Sequence, residues 1–334
     1  MACLRFAVLG CGSIGKRHIR NLQALAAGQI VAFDPRPDCR REVTTQFGIP
    51  VVDTLGKVWD RYPDVALITA PTSLHVSLAL QAAQHGCHLF IEKPLSDRLD
   101  DVDALLRLVS ARGLVTLVGC NLRFHPGLKT VKQLLADNAA GRVISARAEF
   151  GYYLPNWHPW EDYRQTYSAR RDLGGGVILD AIHEIDYLQW MLGEVEAVVC
   201  FSGKLSSLDI DTEDTAALVL RFASGALGEV HLDYVQRSYT RQCHIVGEDG
   251  TIRWDYVGGE VRWYSAATHQ WRVFANPFGW ETEQMYRDEM RHFLQCLAGK
   301  EGAAVDVFTA ARVLKVALAA KTSAETGQVI HLTS

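Results

Sequence analysis

Long hydrophobic runs are missing from these 334 residues: no apolar stretch approaches the roughly 20 residues a helix needs to cross a bilayer. Charge is nearly balanced, with a formal net of −4. That leaves no electrostatic case for a nucleic-acid or anionic-membrane partner. Cysteine is present but unorganised. Cys3, Cys11, Cys39, Cys87, Cys120, Cys200, Cys243 and Cys296 form no CxxC and stand beside no histidine at zinc-ligand spacing. The expectation is no metal, and reduced thiols filling apolar space in a cytoplasmic protein. Met1 to Arg5 run straight into an apolar segment, leaving no room for a signal peptide. Repeats, low-complexity tracts and long linkers are absent too. A chain of this length is expected to form two domains.

What is there begins at residues 4–15. Leu4-Arg5-Phe6-Ala7-Val8-Leu9 reads as a strand buried on both faces of a parallel sheet. It runs into Gly10-x-Gly12-x-x-Gly15. Gly10 suits a sharp turn, Gly12 lets backbone N–H groups approach a pyrophosphate, and Gly15 lets a helix lie close to the strand. Ser13 and Ile14 head that helix, whose free N–H groups and partial positive charge favour phosphate. A second apolar run then delivers Asp34, about 20 residues on, where a carboxylate takes the adenosine ribose hydroxyls. The context expected of a dinucleotide fingerprint is complete.

To about residue 121 the pattern alternates. Strands fall at 51–52, 65–69, 88–91 and 114–118. Helices fall at 38–47, 53–62, 73–86 and from 97 or 99 to 112. Such alternation predicts a parallel, doubly wound sheet. Ligands of these sheets lie beyond the carboxyl ends of the strands. The unusual residues recur there: the glycine turn, Asp34, Ala70-Pro71-Thr72 with His75 beyond, Glu92-Lys93-Pro94, and Gly119-Cys120-Asn121. After Pro126 the character changes. A helix is expected at 128–136, then strands near 142–153, 195–203, 215–222, 226–234, 240–246, 251–256, 260–264 and 271–274, then helices at 281–297 and 307–325. Leu218, Leu220 and Phe222 alternate with Val219 and Arg221, which suits an antiparallel sheet with one face less buried.

Three further features carry chemistry. Gly174-Gly175-Gly176 precedes a helix on which Asp180, His183 and Tyr187 follow at helical spacing, beside an apolar stripe of Ala181, Ile185, Leu188 and Leu192. His183 is either a proton donor and acceptor or a histidine bonded to a surface acid. Lys93 closes a strand at the ligand edge. There it either polarises a hydroxyl or carbonyl, with desolvation lowering its pKa from about 10.4, or remains a solvated lysine in an acidic turn. The loop from Tyr152 to Arg164, with Trp157 and Tyr163, offers rings for the C–H faces of a sugar and polar groups for its hydroxyls. It could equally pack on its own domain. Arg164, Arg170 and Arg171 could hold a carboxylate or phosphate, and Arg123 either meets substrate or braces the domain junction.

Taken together, Gly10-x-Gly12-x-x-Gly15-x-x-His18, Glu92-Lys93-Pro94, Gly119-x-Asn121-x-Arg123-Phe124-x-Pro126 and Gly174-Gly175-Gly176-x-x-x-Asp180-x-x-His183-x-x-Asp186 resemble the Gfo/Idh/MocA family of nicotinamide-dependent oxidoreductases. The resemblance implies a Rossmann domain over 1–121. It implies an α+β domain with a large, open, mostly antiparallel sheet over 122–334, the sheet often serving as a homodimer or homotetramer interface. It implies Lys93 as catalytic lysine and His183 as acid/base, with Asp180 in the same site. The Asp180-to-His183 spacing is one residue shorter than usual in the family. Cofactor contacts are expected from Gly10, Gly12, Ser13, Ile14, Gly15, Asp34, Arg36, Ala70, Pro71, Thr72, His75, Glu92, Lys93 and Asn121. Substrate contacts are expected from Lys93, Arg123, Tyr152, Trp157, Tyr163, Arg164, Asp180 and His183. The reaction implied is hydride transfer between the nicotinamide and a sugar or polyol hydroxyl. Asp34 favours NAD, with NADP the alternative if Arg36, Arg40 and Arg41 take a 2′-phosphate. A dinucleotide-binding sensor, or a glycosidase using bound NAD, stands as the competing reading on this fold.

Overall fold

The computed structural model describes residues 3–332; Met1 and Ala2, on which the reading of the leader partly rests, lie outside them. The chain forms two compact units. The first comprises residues 1–121 and 282–311, the second 122–281 and 312–334.

In the first unit the chain alternates β1 (Leu4–Leu9), α1 (Ser13–Ala24), β2 (Gly28–Phe33), α2 (Pro37–Phe47), β3 (Val51–Val52), α3 (Leu55–Trp59), β4 (Val65–Ile68), α4 (His75–Gln84), β5 (His88–Ile91), α5 (Val102–Arg112) and β6 (Thr116–Val118). The strands form one parallel sheet in the order β3-β2-β1-β4-β5-β6. Phe6 to Leu9 and Val65 to Ile68 are fully buried, because helices cover both faces of such a sheet. The order steps one way from β1 through α1 and the other way from β4 through α4. Right-handed crossovers therefore put α1 and α4 on opposite faces. The reversal between β1 and β4 is the switch point, where a ligand crevice forms. The helix expected from residue 73 opens with a 3-10 turn, Thr72–Leu74, before α4.

The second unit opens with a 3-10 turn, Asn121–Phe124, whose first residue belongs to the first unit, and α6 (Pro126–Ala136). There follow β7 (Val143–Gly151), α7 (Val177–Asp180), α8 (His183–Leu192), β8 (Val195–Gly203), β9 (Thr215–Phe222), β10 (Leu227–Asp233), β11 (Thr240–Gly247), β12 (Gly250–Asp255), β13 (Glu260–Ser265) and β14 (Gln270–Ala275). With β15 (Ile330–His331) these strands form a nine-stranded sheet, β14-β13-β12-β11-β7-β10-β9-β8-β15. It is antiparallel except where β7 lies parallel to β10. Ala216, Leu218, Leu220 and Phe222 point to the buried face; Ala217, Val219 and Arg221 point away. The open face carries exposed Phe201, Val219, Leu227 and Val246.

The single helix expected after the three glycines is two helices. Ala181 (φ −92°, ψ 35°) closes α7, and α8 starts two residues later. Tyr187, expected on a polar face beside His183, is fully buried and packs edge-on against Trp254.

Two further helices complete the chain. α9 (Glu283–Leu297) belongs to the first unit, although the sequence places that stretch in the second domain. Its Met290 and Phe293 are fully buried in one cluster with Phe6, Val8 and Phe90. α10 (Val307–Thr326) follows, and its Ser323 donates to the backbone of the second unit at Gln328.

Candidate active site

The glycine turn is built as its spacing requires. Gly10 has φ +113°, and a Cβ there would lie 2.6 Å from the Thr69 carbonyl oxygen. A Cβ on Gly15 would lie 2.0 Å from the Gly10 oxygen. Thr69 Oγ1 donates to that same oxygen at 2.7 Å, tying the end of β4 to the turn. Gly12 differs: nothing stands within 4 Å of the Cβ position. Gly12 is also the N-cap of α1 and supplies no side-chain cap, and the first turn carries no acid. The N–H groups at Ser13 and Ile14 thus head a helix whose positive end is unblocked, which is the donor set a pyrophosphate needs.

Asp34, at the end of β2, is buried. Oδ2 accepts the Cys11 N–H at 2.9 Å; Oδ1 accepts the Arg36 N–H at 2.9 Å and its Nε at 3.3 Å. Arg40 donates to the Asp34 and Pro35 carbonyls. The carboxylate is therefore held at the turn rather than swung aside for a 2′-phosphate, and its remaining lone pairs suit ribose hydroxyls. These residues fit NAD.

Lys93 follows β5 at the same edge and is partly exposed, and its bond to Pro94 is cis. Ala70 and Pro71 are partly exposed beyond β4, while Thr72 and Asn121 are buried. Glu92 turns inward: Oε1 accepts from His18 Nε2 at 2.6 Å, and Oε2 accepts the Lys93 N–H at 3.2 Å. Gly119 leaves room for it, since a Cβ would come within 3.1 Å of Glu92 Oε2. His75, expected to meet the cofactor, is buried with Nδ1 2.8 Å from the Pro94 oxygen and Nε2 2.9 Å from the Ala70 oxygen. Burial holds its imidazole below the ordinary pKa, against the pull of the two carbonyls.

In the second unit His183 is the first residue of α8 and is 7% exposed. The next acids are locked beneath it. Arg123 donates through Nε and Nη2 to both oxygens of Asp186, at 3.0 and 2.7 Å. Arg241 donates through Nε to Glu184 at 2.9 Å and lies over the Phe150 ring. All four side chains are at least largely buried. Glu184 holds the Arg241 guanidinium above its usual range despite burial. Arg123 thus braces α8 within the second unit through Asp186.

Asp180, expected to share the acid–base step, accepts hydrogen bonds from three hydroxyls. Tyr167 donates to its Oδ1 at 2.5 Å; Ser168 and Tyr234 donate to Oδ2 at 2.6 and 3.1 Å. Burial raises the Tyr234 pKa well above its ordinary value, so the phenol stays a donor. The short Asp-to-His spacing spans the break between α7 and α8 at Ala181. Gly175 and Gly176 allow the local crowding: Cβ atoms would lie 2.1 Å from the Tyr167 oxygen and 2.4 Å from the Glu213 carboxylate.

The aromatic loop is bonded largely to itself. Tyr152 stacks parallel to Trp157, whose Nε1 donates to the Tyr152 carbonyl. The Tyr152 hydroxyl donates to Asn156, and the Tyr163 hydroxyl accepts the Asp209 N–H. Arg164 forks onto Asp162, Arg170 onto Asp172, and Arg171 bonds Asp211. The hydroxyls on Asp180 escaped the sequence reading and carry no spacing signal. His18 stands in the glycine motif, three residues after Gly15, but nothing in the sequence pairs it with Glu92.

A parallel-stranded dinucleotide-binding unit with a lysine at its ligand edge, joined to an α+β unit, defines a nicotinamide-dependent oxidoreductase. Residues 4–120 match the oxidoreductase family with an NAD-binding Rossmann fold, and residues 128–253 match the GFO/IDH/MocA C-terminal domain. The chain is 31% identical over 265 residues to a myo-inositol 2-dehydrogenase of Thermotoga maritima, covering 76% of each protein. It is 25% identical to scyllo-inositol 2-dehydrogenase (NAD(+)) of Bacillus subtilis, covering 98% of this chain and 96% of that one. A solved levoglucosan dehydrogenase in complex with NADH and levoglucosan shares its fold, with TM-score 0.90 at 21% identity over 99% of this chain and 100% of the other. The protein belongs to the GFO/IDH/MocA family of NAD-dependent oxidoreductases.

Proposed function

We propose that this protein is a dehydrogenase or reductase of a neutral sugar, sugar derivative or polyol. The observation that carries the reaction class is Lys93, presented at the carboxyl edge of the parallel sheet by a buried Glu92. The α1 N-terminus and Asp34 hold the dinucleotide, whose nicotinamide accepts or returns hydride when bound. Lys93 steadies the oxygen of the reacting carbon as charge develops on it. His183 takes the hydroxyl proton in oxidation and returns it in reduction.

Neutrality of the substrate is supported by the charges around the loop. Arg164 and Arg170 already pair with Asp162 and Asp172, the Arg171 guanidinium donates to the Asp211 carbonyl, and exposed Glu161 and Asp209 add further negative charge. A phosphate or carboxylate would have to displace these partners. The test is NADH formation across myo-inositol, scyllo-inositol, levoglucosan, free hexoses, a hexuronic acid and a nucleotide sugar. Neutral compounds should exceed the anionic ones by at least about tenfold in kcat/KM, or about 1.4 kcal/mol of transition-state binding. Preference for an anionic sugar sinks the neutral assignment; product released without net NADH favours the glycosidase chemistry instead.

The open face of the nine-stranded sheet supports a homodimer or homotetramer. Val246, Ser145, Leu227 and Arg221 form one row across four strands, and His244, Arg147, Glu229 and Val219 form the next. Apolar and mixed-charge rows of this kind suit a self-complementary contact. Leu227→Glu should yield a single chain by light scattering where the parent gives a multiple; a monomeric parent at micromolar concentration refutes the interface.

A further inference from the structure

His18 and His75 are both fully enclosed, come from helices on opposite faces of the parallel sheet, and converge on one tripeptide, Glu92-Lys93-Pro94. From α1, His18 Nε2 meets Glu92 Oε1 at 2.6 Å, and the other oxygen of that carboxyl accepts the Lys93 N–H at 3.2 Å. From α4, His75 Nδ1 meets the Pro94 carbonyl at 2.8 Å while Nε2 meets Ala70 at 2.9 Å. A neutral imidazole has one N–H, so it donates to one of these carbonyls and packs against the other, wedged between the lysine turn and the end of β4. We propose that His18 and His75 are positioning residues that hold the backbone on either side of Lys93, so that its ammonium is presented in one place.

The physical case rests on cost. A buried imidazole gives up its water, and without good partners that burial is unfavourable by about 1–3 kcal/mol. His18 packs edge-on against Phe90, centroids 4.7 Å apart, in an otherwise apolar cluster where a phenylalanine would sit more cheaply. The polar ring is explained by what it grips. Glu92 alone could rotate, since Gly119 leaves space beside it; with His18 on one oxygen and the Lys93 N–H on the other, it cannot. Preorganisation of this kind matters most for a long, flexible side chain whose head must meet a reacting oxygen.

The inference rests on Lys93 being the catalytic lysine, but its test does not. Competitive acetylation of the full-length protein, read lysine by lysine by mass spectrometry without substrate, compares Lys93 with the exposed Lys57 and Lys300. In His18→Phe and in His75→Leu, Lys93 labelling should rise at least about fivefold against those references. In His18→Gln, which keeps a donor for Glu92, it should stay within about twofold of the parent. General destabilisation would raise labelling of the part-buried Lys132 as well, whose ammonium donates to the Trp190 carbonyl. Should His18→Phe fail to fold, His75→Leu and the milder His75→Asn read the same clamp. Lys93 labelling unchanged in the folded variants overturns the proposal. A rise in labelling, with Lys93→Ala retaining full turnover, upholds the clamp and removes the catalytic reading of Lys93. Where a panel sugar is turned over, kcat should fall at least tenfold in the two apolar variants while NAD affinity stays within threefold.

Discussion

Lys93→Ala should lower turnover at least about a thousandfold, while the dissociation constant for NADH, read by fluorescence titration, changes less than threefold. The split follows from where the parts lie. The determinants of dinucleotide binding are the unblocked start of α1, the open space at Gly12 and the buried carboxylate of Asp34. All three lie in the first strand–helix–strand segment, β1-α1-β2 and its end, whereas Lys93 follows β5. Losing the ammonium leaves the phosphates and ribose held but removes the charge that steadies the reacting oxygen. One well-placed electrostatic group in a water-poor site supplies about 3–4 kcal/mol or more. Near-parental turnover would show that Lys93 is an ordinary partly solvated lysine.

The second large effect is on stability. Arg241→Met should cost about 3–5 kcal/mol in denaturant unfolding, because it removes the guanidinium from the buried Glu184 carboxylate. The double variant Arg241→Met with Glu184→Met should recover most of that loss, since apolar groups of similar size pack without the desolvation penalty. Activity should not recover in step: the pair anchors the residue directly after His183, and a repacked core need not return the imidazole to its place. Equal losses in the single and double variants would mean that the pair is not coupled.

Much of the first unit was legible in the sequence because its signals are local. A strand buried on both faces is a continuous apolar run, and Val65 to Ile68 is one. A glycine that adopts φ +113°, or whose added Cβ would lie 2.0 Å from a carbonyl oxygen, cannot be replaced cheaply, so Gly10 and Gly15 advertise their geometry. The antiparallel strands were readable for the same reason: alternation such as that of Thr215–Phe222 is a period-two signal.

What could not be read depends on distant residues. The helix after Gly176 breaks at Ala181, next to Asp180, which accepts from hydroxyls 12, 13 and 54 positions away. Its own sequence, with an uninterrupted apolar stripe, predicts continuity. Arg241 and Glu184 are separated by 57 positions, and neither carries a motif. The loop arginines looked free for an anion because their acidic partners, Asp162 and Asp172, are close enough in sequence to pass for solvated charge. Asp211 lies 40 positions from Arg171.

The helix of Met290 and Phe293 bears on how the molecule is made. These side chains close over Phe90, and the ring centroids of Phe90 and Phe293 stand 5.5 Å apart. A nascent polypeptide emerging from the ribosome thus has every strand of its nucleotide-holding sheet 165 residues (118 to 283) before the helix that seals one side of it. During translation that half waits, incompletely covered, while most of the larger sheet is synthesised, and it can reach its final core only once Met290 and Phe293 have been added.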